Sequence, residues 1–193
     1  VVKAQRDIFG DLPYKRYVFL IHCIPGLGGG TEHLNSTIMQ TGPQSFADAA
    51  GLRRVMGLVG HGVSHTWNVK QLRPAGLKPL NGLYDLQHEN YTDLLWVSEG
   101  TTDYIKTISL ARAGITKPDD VLKSIGSMIE SARTRPGASA QSAAESSFDA
   151  WIKFNKSWAD SVNTTVSFYD KGEWVSLVLD MEIRKRSGNK ASL

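Results

Sequence analysis

The sequence predicts a mainly α fold with a small β element, on three observations. Three stretches space their apolar side chains at helical intervals, one early run is rich in aromatic and β-branched residues, and no segment repeats. The chain has 193 residues, 41% of them hydrophobic, which suits a single domain with its own core. Val1 to Phe9 reads as the end of a helix closed by Gly10 and Pro13. Tyr17 to Cys23 reads as a strand stopping at Pro25-Gly26. The run Gly28-Gly29-Gly30 then leads into a second strand, Thr31 to Met39, expected to pair with the first.

From Ala47 to about Lys70 the period turns helical, with Leu52, Val55, Met56, Val59 and Val63 as a core-facing stripe. Pro74 and Pro79 end it and open a loop through Asp85. A second helix is expected from about Thr92 to Ala113, carrying Leu94, Val97, Tyr104, Ile105 and Ile108 on one face and stopping at Gly114. A third follows Pro118 with Val121, Leu122, Ile125 and Ile129. Arg133 to Ser147 reads as a loop, Thr164 to Tyr169 as a short strand, and Asp170 to about Arg186 as the last helix.

Composition narrows the function classes. There are 22 basic and 19 acidic residues, a net charge of +3 that leaves no nucleic-acid footprint. The cluster Arg184-Lys185-Arg186 reads as cations complementing a helix end. A lone cysteine, Cys23, excludes an intrachain disulfide and a Cys-rich zinc cluster, so any metal must be held by histidine and carboxylate. No apolar run reaches the ~20 residues of a membrane span. The first residues have neither an initiator methionine nor the layout of a targeting segment, and the chain reads as a piece of a longer one. The glycine run lacks the Gly-Lys-Ser/Thr of a phosphate loop and the third glycine of a dinucleotide fingerprint.

With Leu52 at zero on a helical wheel, His61 and His65 fall at ~180° and ~220°, sharing one face away from the predicted stripe. An i, i+4 histidine pair can grip one metal ion, although two solvated histidines would show the same spacing. On the second helix Glu99 and Asp103 share a face one turn apart. Glu99 is a candidate third ligand, and Asp103 either accepts the second ring N–H of a ligand histidine or is an ordinary exposed charge.

The run His61-Gly62-Val63-Ser64-His65-Thr66-Trp67-Asn68-Val69-Lys70-Gln71-Leu72-Arg73-Pro74 resembles the zinc helix of the glycyl aminopeptidase family, H-E-x-x-H-T-W-N-V-K-R-x-R-P. These metallopeptidases are related to the aminopeptidase N group and more distantly to thermolysin. The resemblance continues through Glu89-Asn90-Tyr91-Thr92, Leu95-Trp96-Val97-Ser98-Glu99-Gly100, Gln141-Ser142, Ala144 to Lys153, and Val166-Ser167-Phe168-Tyr169-Asp170-Lys171-Gly172. Upstream, Gly29-Gly30-Thr31-Glu32-His33 is similar to the family's G-G-L-E-H substrate strand.

The resemblance implies the helical part of a thermolysin-like zinc peptidase catalytic domain spanning residues 1–193. It also implies an N-terminal β domain before it and, often, a PDZ domain after it. One zinc ion would be held by His61, His65 and Glu99. Glu32 would bind the free amino end of a peptide, with Gly29 and Gly30 letting the substrate backbone lie close. Tyr169, just before Asp170-Lys171-Gly172, would donate to the oxyanion.

One departure bears on activity. Gly62 stands where the family has the glutamate that moves protons between zinc-bound water and the leaving amine. A general acid/base contributes typically ~10²- to 10⁴-fold, so a loss of at least that size is expected. Gly60 and Gly62 flank His61, and each costs a helix up to ~1 kcal/mol relative to alanine. Three readings therefore stand: an impaired aminopeptidase removing N-terminal glycine- or alanine-type residues, a zinc- and peptide-binding pseudoenzyme, and a structural domain without metal.

Overall fold

The structure is a computed structural model describing residues 1–77 and 87–193. Pro79 and the rest of the expected loop through Asp85 lie outside the described residues. The fold is mainly helical with one three-stranded sheet, in the order α1 (Val2–Phe9), β1 (Val18–Cys23), β2 (Gly29–Glu32), β3 (Ser36–Thr41), α2 (Ala49–Ser64), α3 (Thr101–Arg112), α4 (Pro118–Thr134), α5 (Gly137–Ala140), α6 (Ala143–Phe148), α7 (Ser161–Thr164) and α8 (Phe168–Ser187). No described helix is long and apolar enough to cross a membrane. The chain folds as two compact units, residues 1–72 with 105–122, and residues 73–104 with 123–193.

The first unit holds the sheet. β3 is central, parallel to β1 on one side and antiparallel to β2 on the other. Its side chains alternate at a period of two, burying Thr37, Met39 and Thr41. The stretch expected to be one strand, Thr31 to Met39, is instead the turn of a hairpin, because the His33 amide closes back onto the Ser36 carbonyl. Only the second arm of that hairpin pairs with β1.

α2 starts at Asp48, whose carboxylate accepts the Gly51 N–H at 2.6 Å. Its buried face is Val55 and Val63 together with Gly51, Gly60, Gly62 and Ser64, whereas Leu52 is 45% exposed. The packing face is thus centred on small residues, which the apolar spacing alone does not reveal. α1 crosses it through Gln5, whose amide donates to the Gly60 carbonyl and to Ser64 Oγ. α2 ends at Ser64, short of Lys70. The chain turns there, with Trp67 stacked on Phe9 at 4.3 Å and its Nε1–H donated to Asp11.

In the second unit the expected helix from Thr92 begins later, as a π-helical turn over Trp96–Gly100 that runs on into α3. The expected loop from Arg133 to Ser147 contains α5 and most of α6. α6 opens with a reciprocal capping box between Ser142 and Glu145, an S-x-x-E signal legible in the sequence. The expected strand from Thr164 to Tyr169 does not form: Thr164 ends α7, Ser167 caps α8 by accepting the Asp170 N–H, and Phe168 and Tyr169 form the first turn of α8. Val166 and Phe168 are buried there; in the first unit, Leu122 of α4 is 66% exposed.

Candidate active site

His61 and His65 lie one turn apart where α2 ends. Their rings meet edge-on at 4.6 Å between centroids, and their Nε2 atoms stand 2.8 Å apart. His65 is fully buried, so the histidine face does not point away from the interior as the helical wheel suggests. His65 Nδ1 lies 3.0 Å from the Asn68 carbonyl oxygen. A carbonyl only accepts, so Nδ1 carries a proton, and in the neutral ring this leaves Nε2 as the lone-pair atom facing His61. Two imidazoles so arranged fit a divalent cation. Nitrogens at 2.0–2.1 Å from a tetrahedral zinc stand about 3.3 Å apart, so the pair needs to open by only about 0.5 Å.

Gly62, between them, is buried against β3. A Cβ built on it would lie 2.7 Å from both Thr37 Oγ1 and Thr37 Cγ2. Thr37 is itself buried and shares a 2.5 Å hydrogen bond with the Tyr17 hydroxyl, which also reaches the Gly62 carbonyl at 3.2 Å. Burial pushes the Tyr17 pKa up, against hydrogen bonds from Thr37 and Thr66 that lower it. Tyr17 is therefore a donor at neutral pH and no substitute for a carboxylate base.

Glu32 ends β2, an edge strand whose Gly29 and Gly30 are exposed. The Lys70 ammonium lies 3.9 Å from Glu32 Oε1, with side chains 13% and 25% exposed. The sequence gives Lys70 no role, although it sits inside the motif run, and Tyr17 and Thr37 carry no signal beyond strand patterning.

In the second unit Glu99 sits on the π-helical turn and Asp103 one turn on, both half-buried. Such turns recur at functional positions because the extra residue re-aims the side chains around it. The turn packs on the start of α8 through two glycines: a Cβ on Gly100 would run into the Gly172 backbone, and one on Gly172 into the Trp96 carbonyl. Thr101 and Ser176 bond across the same contact at 2.8 Å. Tyr169 belongs to α8 rather than to a strand, its ring beside Phe168 at 4.7 Å and Phe154 at 5.5 Å.

Among the described residues, the His/Cys/Asp/Glu set able to hold a metal ion is His61, His65 and Glu99. The profile of the M61 glycyl aminopeptidase family matches residues 54–175, more than half of the chain. The chain is also similar to the crystal structure of an aminopeptidase N family protein from Idiomarina loihiensis. There the TM-score is 0.87 and the identity 31% over 99% of this chain. The chain spans about a third of that protein, 33% of its length. No curated protein matches the sequence.

Proposed function

The chain belongs to the M61 glycyl aminopeptidase family, and we propose that it carries the metal- and peptide-binding centre of an aminopeptidase whose hydrolysis is impaired. The observation that carries this reading is the histidine pair, set for one cation, with Gly62 between its members where the proton carrier belongs. In this reading His61, His65 and Glu99 hold one zinc ion, and the set of two histidines and one glutamate recurs in zinc peptidases. When bound, zinc would polarise a peptide carbonyl and acidify a water.

The chain's own residues supply the rest. Glu32 binds the α-ammonium of a peptide, which favours exopeptidase over internal cleavage. The exposed Gly29-Gly30 edge offers unpaired backbone groups to a peptide. Tyr169 donates a hydrogen bond from its hydroxyl to the carbonyl oxygen as charge develops there. Asp103 accepts the second ring N–H of a ligand histidine, a role Asn68 already fills for His65. The family name points to N-terminal glycine or alanine as the residue removed.

A second reading, peptide binding without turnover, draws support from Thr37, which packs into the space a residue-62 side chain would need. Two measurements separate the readings: zinc per chain by elemental analysis, and hydrolysis of glycyl and alanyl 4-nitroanilides at one equivalent of zinc. Slow, chelator-sensitive release of nitroaniline supports impaired catalysis. Zinc binding with no release favours the binding protein. Failure to retain zinc overturns both.

A further inference from the structure

Lys70 is absent from every role assigned above, yet the fold commits unusual backbone to it. The residue before it, Val69, is β-branched and has φ of 104°, a conformation that L side chains with a branched Cβ rarely adopt. The strained turn is closed from both sides. The Lys70 amide donates to the His65 carbonyl, the Val69 amide donates to the Leu72 carbonyl, and Asn68 pairs with Leu72. Strain of this kind persists only where surrounding contacts over-determine it. Its product here is a lysine ammonium 3.9 Å from Glu32.

That distance is informative. It lies within ion-pair range but beyond a hydrogen bond, whose N···O separation is about 2.7–3.2 Å. Among the described residues the Glu32 carboxylate accepts no side-chain or backbone hydrogen bond. Its oxygens therefore keep their acceptor capacity for a ligand while the neighbouring charge fixes where they sit. A glutamate at the end of an edge strand would otherwise sample several rotamers, and ordering it would tax binding.

We infer that Lys70 is a positioning residue for the amino-end subsite: it pre-orders Glu32 toward the α-ammonium of a peptide without consuming its hydrogen bonds. The inference rests on the proposed role of Glu32. It has an opposite. If Lys70 instead occupied the ammonium's place as a tethered competitor, removing its charge would tighten binding of free amino ends.

Titration calorimetry of the full chain with alanyl-alanyl-alanine amide and with its N-acetyl form decides the matter. Glu32→Gln comes first. If it leaves the preference for the free amino form unchanged, the Glu32 anchor itself fails. Where Glu32→Gln removes that preference, Lys70→Met is expected to lower it by about 2- to 10-fold, with binding of the acetylated form unchanged. Lys70→Arg, which keeps the charge, is expected to retain most of it. An unchanged or increased preference in Lys70→Met overturns the positioning role while leaving the anchor standing. Equal weakening of both peptides does so too, since it reports general damage to the turn.

Discussion

His61 and His65 meet Nε2 to Nε2 at 2.8 Å, and the Asn68 carbonyl holds the far nitrogen of His65. The second contact decides the first. In the neutral ring, with the Nδ1 proton on the Asn68 carbonyl, the Nε2 lone pair faces His61 and is the atom that could bind a cation. In the proposed reading a metal ion would take the place of a proton between the same two atoms.

Zinc is therefore expected to stabilise the fold through this pair. At a free zinc concentration 100 times the dissociation constant, the gain is about 2.7 kcal/mol. A rise in the thermal midpoint with added zinc checks this, and a chelator should reverse it. His61→Ala should abolish the rise while leaving a folded protein, since His61 is only half-buried. An undiminished zinc response in that variant would remove His61 from the ligand set.

Restoring the proton carrier is more demanding than helix propensity suggests. Gly62→Glu gains up to ~1 kcal/mol of intrinsic helix preference, but its Cβ would lie 2.7 Å from Thr37 Oγ1 and Cγ2. Thr37 must turn away from Tyr17 to admit it. Gly62→Glu alone should lower the thermal midpoint, and adding Thr37→Ala should recover it. At full zinc occupancy the double variant should hydrolyse alanyl 4-nitroanilide about 10²- to 10⁴-fold faster than the parent chain. No gain would place the loss beyond residue 62.

Much of the fold is legible in the sequence, and the departures from it have physical causes. The motif runs named the family, and helix and strand periods gave a mainly α chain with a small sheet. Leu52 misled because α2 packs on its glycine and serine face, where close approach replaces apolar bulk. The stretch from Thr164 to Tyr169 misled because β-branched and aromatic residues favour strands, while the cap Ser167 starts a helix two residues before the predicted strand ends. Lys70 was hidden because its partner lies 38 positions upstream on another element, and only the turn at Val69 brings the two together.

The glycine contact beneath Glu99 gives a third prediction. A Cβ on Gly100 would strike the Gly172 backbone, which cannot swing aside as a side chain would. Gly100→Ala should therefore destabilise by about 1–3 kcal/mol, despite alanine's better helix propensity. Gly126→Ala is the control, since no atom lies within 4 Å of its Cβ position on α4. It should be neutral or stabilising. Chemical denaturation of both reads the contrast, and equal stability would mean the two helices can part without cost.

A last prediction concerns acid. Burial alone would push the Asp180 carboxyl up, but it is outweighed by hydrogen bonds from Arg184, Tyr104 and the Leu193 amide, and by the Arg184 charge. The carboxyl is held below the usual carboxylate value. Tyr104 donates to it at 2.5 Å, Arg184 Nε at 2.7 Å and the Leu193 N–H at 2.7 Å. A carboxyl that is more acidic in the folded than in the unfolded chain contributes its full stability above the unfolded value of about 3.9. That contribution fades as pH falls through the lower, folded value. Asp180→Asn keeps the shape but removes the charge that all three donors face. It should cost about 1–3 kcal/mol at pH 7, and the difference from the parent should shrink as pH falls from 5 toward 2. Thermal midpoints of both proteins across that range provide the check. A gap that stays constant with pH would show that the loss is one of packing, and that the Asp180 charge contributes nothing to the fold.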